Sequence, residues 1–78
     1  MTVDEILTKF EEDVSLMINK PLRREKRMIA DLNTKSMDFM MMCTVMEELG
    51  AGRVEYRTLR KCDTWGDILD TFAALLSK

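Results

Sequence analysis

The sequence predicts an all-α fold: a small antiparallel bundle of three main helices plus one short helix, with a long loop between helices 1 and 2. Three observations point there. Glycine and proline are scarce, at three and one in 78 residues, which disfavours a turn-rich sheet. Apolar residues recur at three- and four-residue spacing in three separate segments. Each segment opens on Thr or Ser, residue types that close a helix N-terminus. Residues 1–78 read as a single domain, near the lower size limit for a core without metals or several disulfides.

The first helix is expected over Thr2–Ile18. Thr2 is its cap, and Asp4 and Glu5 lie in the first turn, where acids favour the helix dipole. Val3, Ile6, Leu7, Phe10, Val14 and Met17 define an apolar face, with Lys9 and the Glu11–Asp13 group on the other side. Asn19-Lys20-Pro21 stops the helix, because proline disfavours helical geometry at the residue before it. Leu22–Lys35 is then a connection anchored by Leu22, Met28, Ile29 and Leu32, with room for a short helical turn around Arg23–Ile29. A connection of this length is unusual in so small a domain unless it is pinned to the core or functional.

The second helix is expected from Ser36 to Leu49, ending at Gly50-Ala51-Gly52. Phe39, Met42, Cys43, Met46 and Leu49 form its core stripe, while Asp38, Thr44, Glu47 and Glu48 take the flanks and outer face. Met40 and Met41 also fall outside the stripe. Either this helix is buried nearly all round, or these two methionines form an adaptable apolar docking patch. In Arg53–Asp63, Val54, Leu59 and Cys62 point inward and Tyr56–Lys61 suits one or two helical turns. Thr64 caps the last helix with Asp67 in the capping-box place. Its apolar face is Ile68, Leu69, Phe72, Leu75 and Leu76.

Composition narrows the function classes. Two cysteines without metal-ligand spacing and no histidine suit a reduced, cytoplasmic protein and remove the commonest general base. Cys43 and Cys62 read as small apolar packing residues. No nucleophile, base and oxyanion site assembles, so the chain is not expected to be an enzyme. No apolar run approaches the roughly 20 residues of a membrane span. The start MTVDEIL carries acid where a signal peptide carries base. Net charge is −2, with basic groups at Lys20–Lys35 and at Arg53, Arg57, Arg60 and Lys61. Interspersed acids and a single Tyr and Trp favour a solvated or protein-docking surface over nucleic acid. A monomer is expected.

Ser36 is the residue that invites chemistry. A serine at a helix start is either an ordinary cap or, because free N–H groups there favour an anion, an attachment point for a phosphate-linked group. The stretch DLNTKSMDFMMMCTVMEEL resembles the acyl carrier protein motif, in which D-L-G-x-D-S-L opens the second helix and an apolar run ends in E-E. Asp31, Leu32, Ser36, Asp38, Glu47 and Glu48 match that pattern, and Met37 and Met46 stand for its leucines. TWGDILDTF is similar to the family's T-V-x-D-hydrophobic final helix, and the spacing from the serine to Thr64 agrees.

The resemblance covers the whole chain and implies a carrier. Ser36 would accept 4′-phosphopantetheine from coenzyme A, donated by a phosphopantetheinyl transferase. The arm would carry acyl groups as thioesters between acyl-transferring or synthase enzymes of a fatty acid, polyketide or related pathway. Met37, Met42 and Met46 would then line a deformable acyl cavity, or serve only as core filler. Partner contacts would fall on Lys35, Asp38, Met40, Met41, Thr44, Glu47, Glu48, Arg57 and Arg60. The chain departs from the family at Lys35 and Asn33, where Asp and Gly are usual, and at Met41, Arg57, Arg60 and Lys61, where acids are common. Such charge reversal implies a specialised carrier with dedicated partners. The alternative is an unmodified carrier-like module that docks an enzyme through helix 2 and the basic helix 3.

Overall fold

The computed structural model describes residues 1–77. Within them the chain forms α1 (Val3–Ile18), α2 (Ser36–Met46), α3 (Tyr56–Arg60) and α4 (Trp65–Leu76), the all-α fold expected from the periodicity. Both threonine caps are made. Thr2 Oγ1 accepts from the Glu5 N–H at 3.1 Å while Glu5 Oε1 accepts from the Thr2 N–H at 2.9 Å. Thr64 Oγ1 accepts from the Asp67 N–H at 3.2 Å, and Asp67 Oδ2 accepts from the backbone N–H groups of Thr64 and Asp63, both at 3.1 Å. Each reciprocal pair satisfies donors that a helix start leaves without partners.

Phe10 of α1 is fully buried between two rings of α4. It stacks on Trp65 with centroids 5.4 Å apart and meets Phe72 edge-on at 4.9 Å. Burying a ring of this size is worth roughly 1.5–3 kcal/mol before any pairing term. Trp65 is completely buried, a position that its place beside the capping threonine does not advertise. Its indole N–H donates to Glu11 Oε1 at 2.8 Å. Glu11 therefore faces α4 and is half-buried, a correction to its placement on the solvent side of α1. Val3, expected on the apolar face, is exposed.

The connection between α1 and α2 does not contain a helical turn at Arg23–Ile29. It runs as a strap across the start of α4, with one hydrogen-bonded turn in which Lys26 N–H donates to Arg23 O at 3.0 Å and an antiparallel bridge between Arg27 and Thr64. Met28 N–H donates to the Asp63 carbonyl at 2.8 Å, Trp65 N–H to Lys26 O at 2.8 Å and Gly66 N–H to Arg24 O at 2.9 Å. The strap carbonyls thus satisfy two N–H groups of the first α4 turn, and a helix at 23–29 would withdraw those carbonyls into its own ladder. Gly66 permits the approach: a Cβ there would lie 3.1 Å from Arg24 O.

Asn19, in the left-handed conformation at φ 56°, ends α1. Lys20 ties the strap down by donating its ammonium to Leu32 O at 2.8 Å. Met28 and Leu32 enter the core as expected, but Ile29 is 55% exposed and is not an anchor. The turn around Asp31, whose carboxylate accepts from the Arg27 N–H at 2.8 Å, directs Ile29 outward.

The α-helical geometry of α2 ends at Met46, three residues before the expected Leu49. A wider π-helical turn, Glu47–Ala51, follows, kinked within at Gly50, φ 108°, and ended by Gly52. Phe39, Met42, Cys43 and Met46 are buried as the stripe requires. Among the described residues no helix is long and apolar enough to cross a membrane.

Candidate functional site

The first turn of α2 differs from the serine-capped start expected of it. Lys35, not Ser36, occupies the cap position, with extended backbone at φ −103° and ψ 166°. A lysine side chain has no acceptor, so only half of a capping box forms: Asp38 Oδ2 accepts from the Lys35 N–H at 3.0 Å. Ser36 is the first helical residue and is exposed. Its hydroxyl is therefore not spent on the helix backbone, and the ordinary-cap reading of Ser36 falls. The acid three residues past Lys35 is the sequence signal that marks this start.

Among the described residues Ser36 Oγ has one partner, the hydroxyl of Tyr56, which donates to it at 3.0 Å. Tyr56 is the first residue of α3, so the contact joins the beginnings of two helices. Behind it lies Phe39, fully buried, whose ring meets Tyr56 edge-on at 6.3 Å. The Arg60 guanidinium sits over the same Phe39 ring, 5.3 Å from its centroid, a favourable approach of a cation to an aromatic face. Glu47 Oε2 accepts from the Val54 N–H at 2.8 Å, tying the π turn to the segment that leads into α3. A shallow surface depression of about 440 Å³ is bordered by Glu47, Arg53, Val54, Glu55, Tyr56 and Arg57.

The remaining expected contact residues spread around this turn. Met40 and Met41 are 54% and 45% exposed, so α2 is not buried all round. Met37 is 72% exposed and does not line an interior, which corrects its assignment to an acyl cavity. Met42 and Met46 are fully buried core residues. Thr44 is exposed and donates its hydroxyl to Met40 O at 3.2 Å. Glu48, Arg57 and Arg60 are exposed, and Arg57 pairs with Glu55 at 3.5 Å. Such an exposed pair contributes little to stability. In the basic connection, Lys20 and Arg24 have structural partners, the latter an ion pair with Asp70 at 2.8 Å.

Neither thiol is set up as a nucleophile. Burial pushes the Cys43 thiol up, aided by the nearby Glu47 carboxylate. Burial also raises Cys62, partly offset by its contact with the Thr71 hydroxyl at 3.5 Å. Both stay protonated at neutral pH, and both cysteines are free. Among the described residues no cluster of three or more His, Cys, Asp or Glu is placed to hold a metal ion.

The pair missed by sequence reasoning is Ser36–Tyr56. Twenty residues separate the two, and no periodicity relates the start of one helix to the start of another. The arrangement offers an exposed hydroxyl, at the positive end of α2, beside a half-buried phenol that meets Phe39 edge-on. Comparison with protein-family models, with curated proteins and with solved structures finds no match to this chain. What the fold and site define is a small four-helix protein with an accessible serine at a helix start.

Proposed function

We propose that this chain is an acyl-carrier-like protein whose Ser36 accepts 4′-phosphopantetheine. The observation that carries the reading is the state of Ser36. It is exposed at the first position of α2 with its hydroxyl unused by the backbone, inside a segment whose Asp31, Leu32, Asp38, Glu47 and Glu48 resemble the carrier motif. A helix N-terminus favours a phosphodiester electrostatically. The carrier itself needs no catalytic residue, because a separate transferase performs the attachment and other enzymes act on the thioester. The buried Met42 and Met46 are the flexible side chains best suited to move aside for an acyl chain. The pathway would be fatty acid, polyketide or related synthesis in the cytoplasm.

The test is intact-mass measurement after incubation with coenzyme A and a promiscuous phosphopantetheinyl transferase. One phosphopantetheine adduct is expected on the wild-type protein and none on Ser36→Ala, whose helical spectrum should be unchanged. No mass gain with several transferases overturns the reading.

A second reading is favoured by the exposed Met37, Met40 and Met41. In it the chain is an unmodified module that docks an enzyme through this face and through Arg57 and Arg60. Binding of a purified partner that survives Ser36→Ala and is lost in Met41→Glu would select it over the carrier.

A further inference from the structure

We propose that Tyr56 is a positioning residue for the reaction at Ser36, a role that rests on the reading of Ser36 as the attachment site. A serine side chain at the first turn of a helix samples several staggered rotamers. Here the Tyr56 hydroxyl, 3.0 Å from Oγ, selects one of them. The phenol is itself held: its ring packs on the buried Phe39, and Arg60 lies over that same ring. Leu59, fully buried, and the Glu47–Val54 hydrogen bond fix the backbone on either side of Tyr56.

The direction of the hydrogen bond matters for the chemistry. Tyr56 donates, so the serine's own proton is not engaged with the phenol and stays available to a base of the transferase. In the transfer, Ser36 Oγ attacks the phosphorus of coenzyme A that bears the pantetheine. The Oγ–P bond forms, the P–O bond to 3′,5′-ADP breaks, 3′,5′-ADP leaves, and the hydroxyl proton passes to a base of the transferase. Negative charge develops on Oγ as that proton departs. A donor already aimed at the oxygen stabilises the charge without reorganisation. Once esterified, Oγ is a weak acceptor, and the Tyr56 hydroxyl is released from it.

Tyr56 is the only tyrosine in the chain, so growth on 3-fluorotyrosine labels this position alone. The fluorine resonance is expected to shift when Ser36→Ala removes the acceptor, and to shift again on attachment of phosphopantetheine. An identical resonance in Ser36→Ala overturns the contact and the proposal. Transferase kinetics then separate positioning from docking. Tyr56→Phe keeps the ring packing, and is expected to lower kcat about tenfold, the rate equivalent of one neutral hydrogen bond, with the KM for the carrier unchanged. The fluorotyrosine protein, with a more acidic donor, should match or exceed wild type. An unchanged kcat in Tyr56→Phe, or a change confined to KM, overturns the proposal. Wild-type protein that gains no mass overturns the attachment reading and the role in transfer with it. A fluorine shift in Ser36→Ala would then locate that failure in the reaction rather than in the contact.

Discussion

The α1–α4 half of the molecule and the α2–α3 half are built on different terms. Where α1 meets α4, three aromatic rings interlock, both helices start on complete capping boxes, and the strap from 24 to 28 covers the beginning of α4. The buried Trp65 indole is paired there with Glu11. In the α2–α3 half, α2 starts on a lysine that cannot cap, α3 has five residues and no side-chain cap, and three methionines face outward. A five-residue helix has almost no intrinsic stability, so α3 persists through Leu59, Tyr56 and the Arg60–Phe39 contact. The contrast separates a framework that holds the fold from a face whose residues are chosen for something other than stability.

Substitution can break that contrast or sharpen it. The largest effect is expected at Phe10→Ala, which empties the centre of the framework and should cost roughly 3–5 kcal/mol in urea unfolding. That is comparable to the whole stability of a small domain; a loss under about 1 kcal/mol would show that the aromatic cluster is not the framework. Next comes a test within one helix. Met46→Ala should cost roughly 2–5 kcal/mol, whereas Met40→Ala, on the exposed side of α2, should stay within about 0.5 kcal/mol. Equal losses would mean that the outer methionines are part of the core in solution.

Thr64→Ala removes the α4 cap and should cost about 1 kcal/mol, read as a lower midpoint with an unchanged slope. The smallest effect is pH-dependent. Two backbone N–H groups and the Thr64 hydroxyl hold the Asp67 carboxyl below its ordinary value, helped by Arg24. A depressed folded-state pKa contributes stability that is present above the ordinary carboxylate range and is lost as pH falls through the folded value. Asp67→Asn keeps an acceptor and removes the titration, so its thermal midpoint should fall less than that of wild type below about pH 4. Parallel curves would remove Asp67 from the acid response.

What the sequence made legible follows from where the physical signal lies. Helix periods and the Thr2 and Thr64 caps are local patterns of side chains, and the structure contains them. The strap is invisible in the same string because backbone groups make its hydrogen bonds, and Arg23–Ile29 shows only enough apolar residues to suggest a turn. Trp65 was hidden by position, since a residue beside a cap reads as helix start rather than core. At Ser36 the residue type outweighed its setting: the helix starts there as expected, but Asp38 three residues after Lys35 fixes the cap one residue earlier, at Lys35. The Tyr56 partner of Ser36 needed the fold itself, because it depends on how α3 lies against Phe39.

The strap has one more consequence, for how this chain can vary. Met28 and Asp63 are hydrogen-bonded neighbours, so everything between them, including α2, α3 and the Gly50–Gly52 turn, is an excursion with its two ends fastened together. Doubling the length of a flexible loop inside such an excursion costs only about 0.6 kcal/mol of chain entropy. Insertions at the exposed Gly50 and Gly52 would therefore leave the fastening, and the aromatic framework beyond it, in place. The half of the molecule that carries Ser36 is free to vary in length at this turn and in residue type on its outer face, while its buried Phe39, Met42, Met46 and Leu59 stay with the common core.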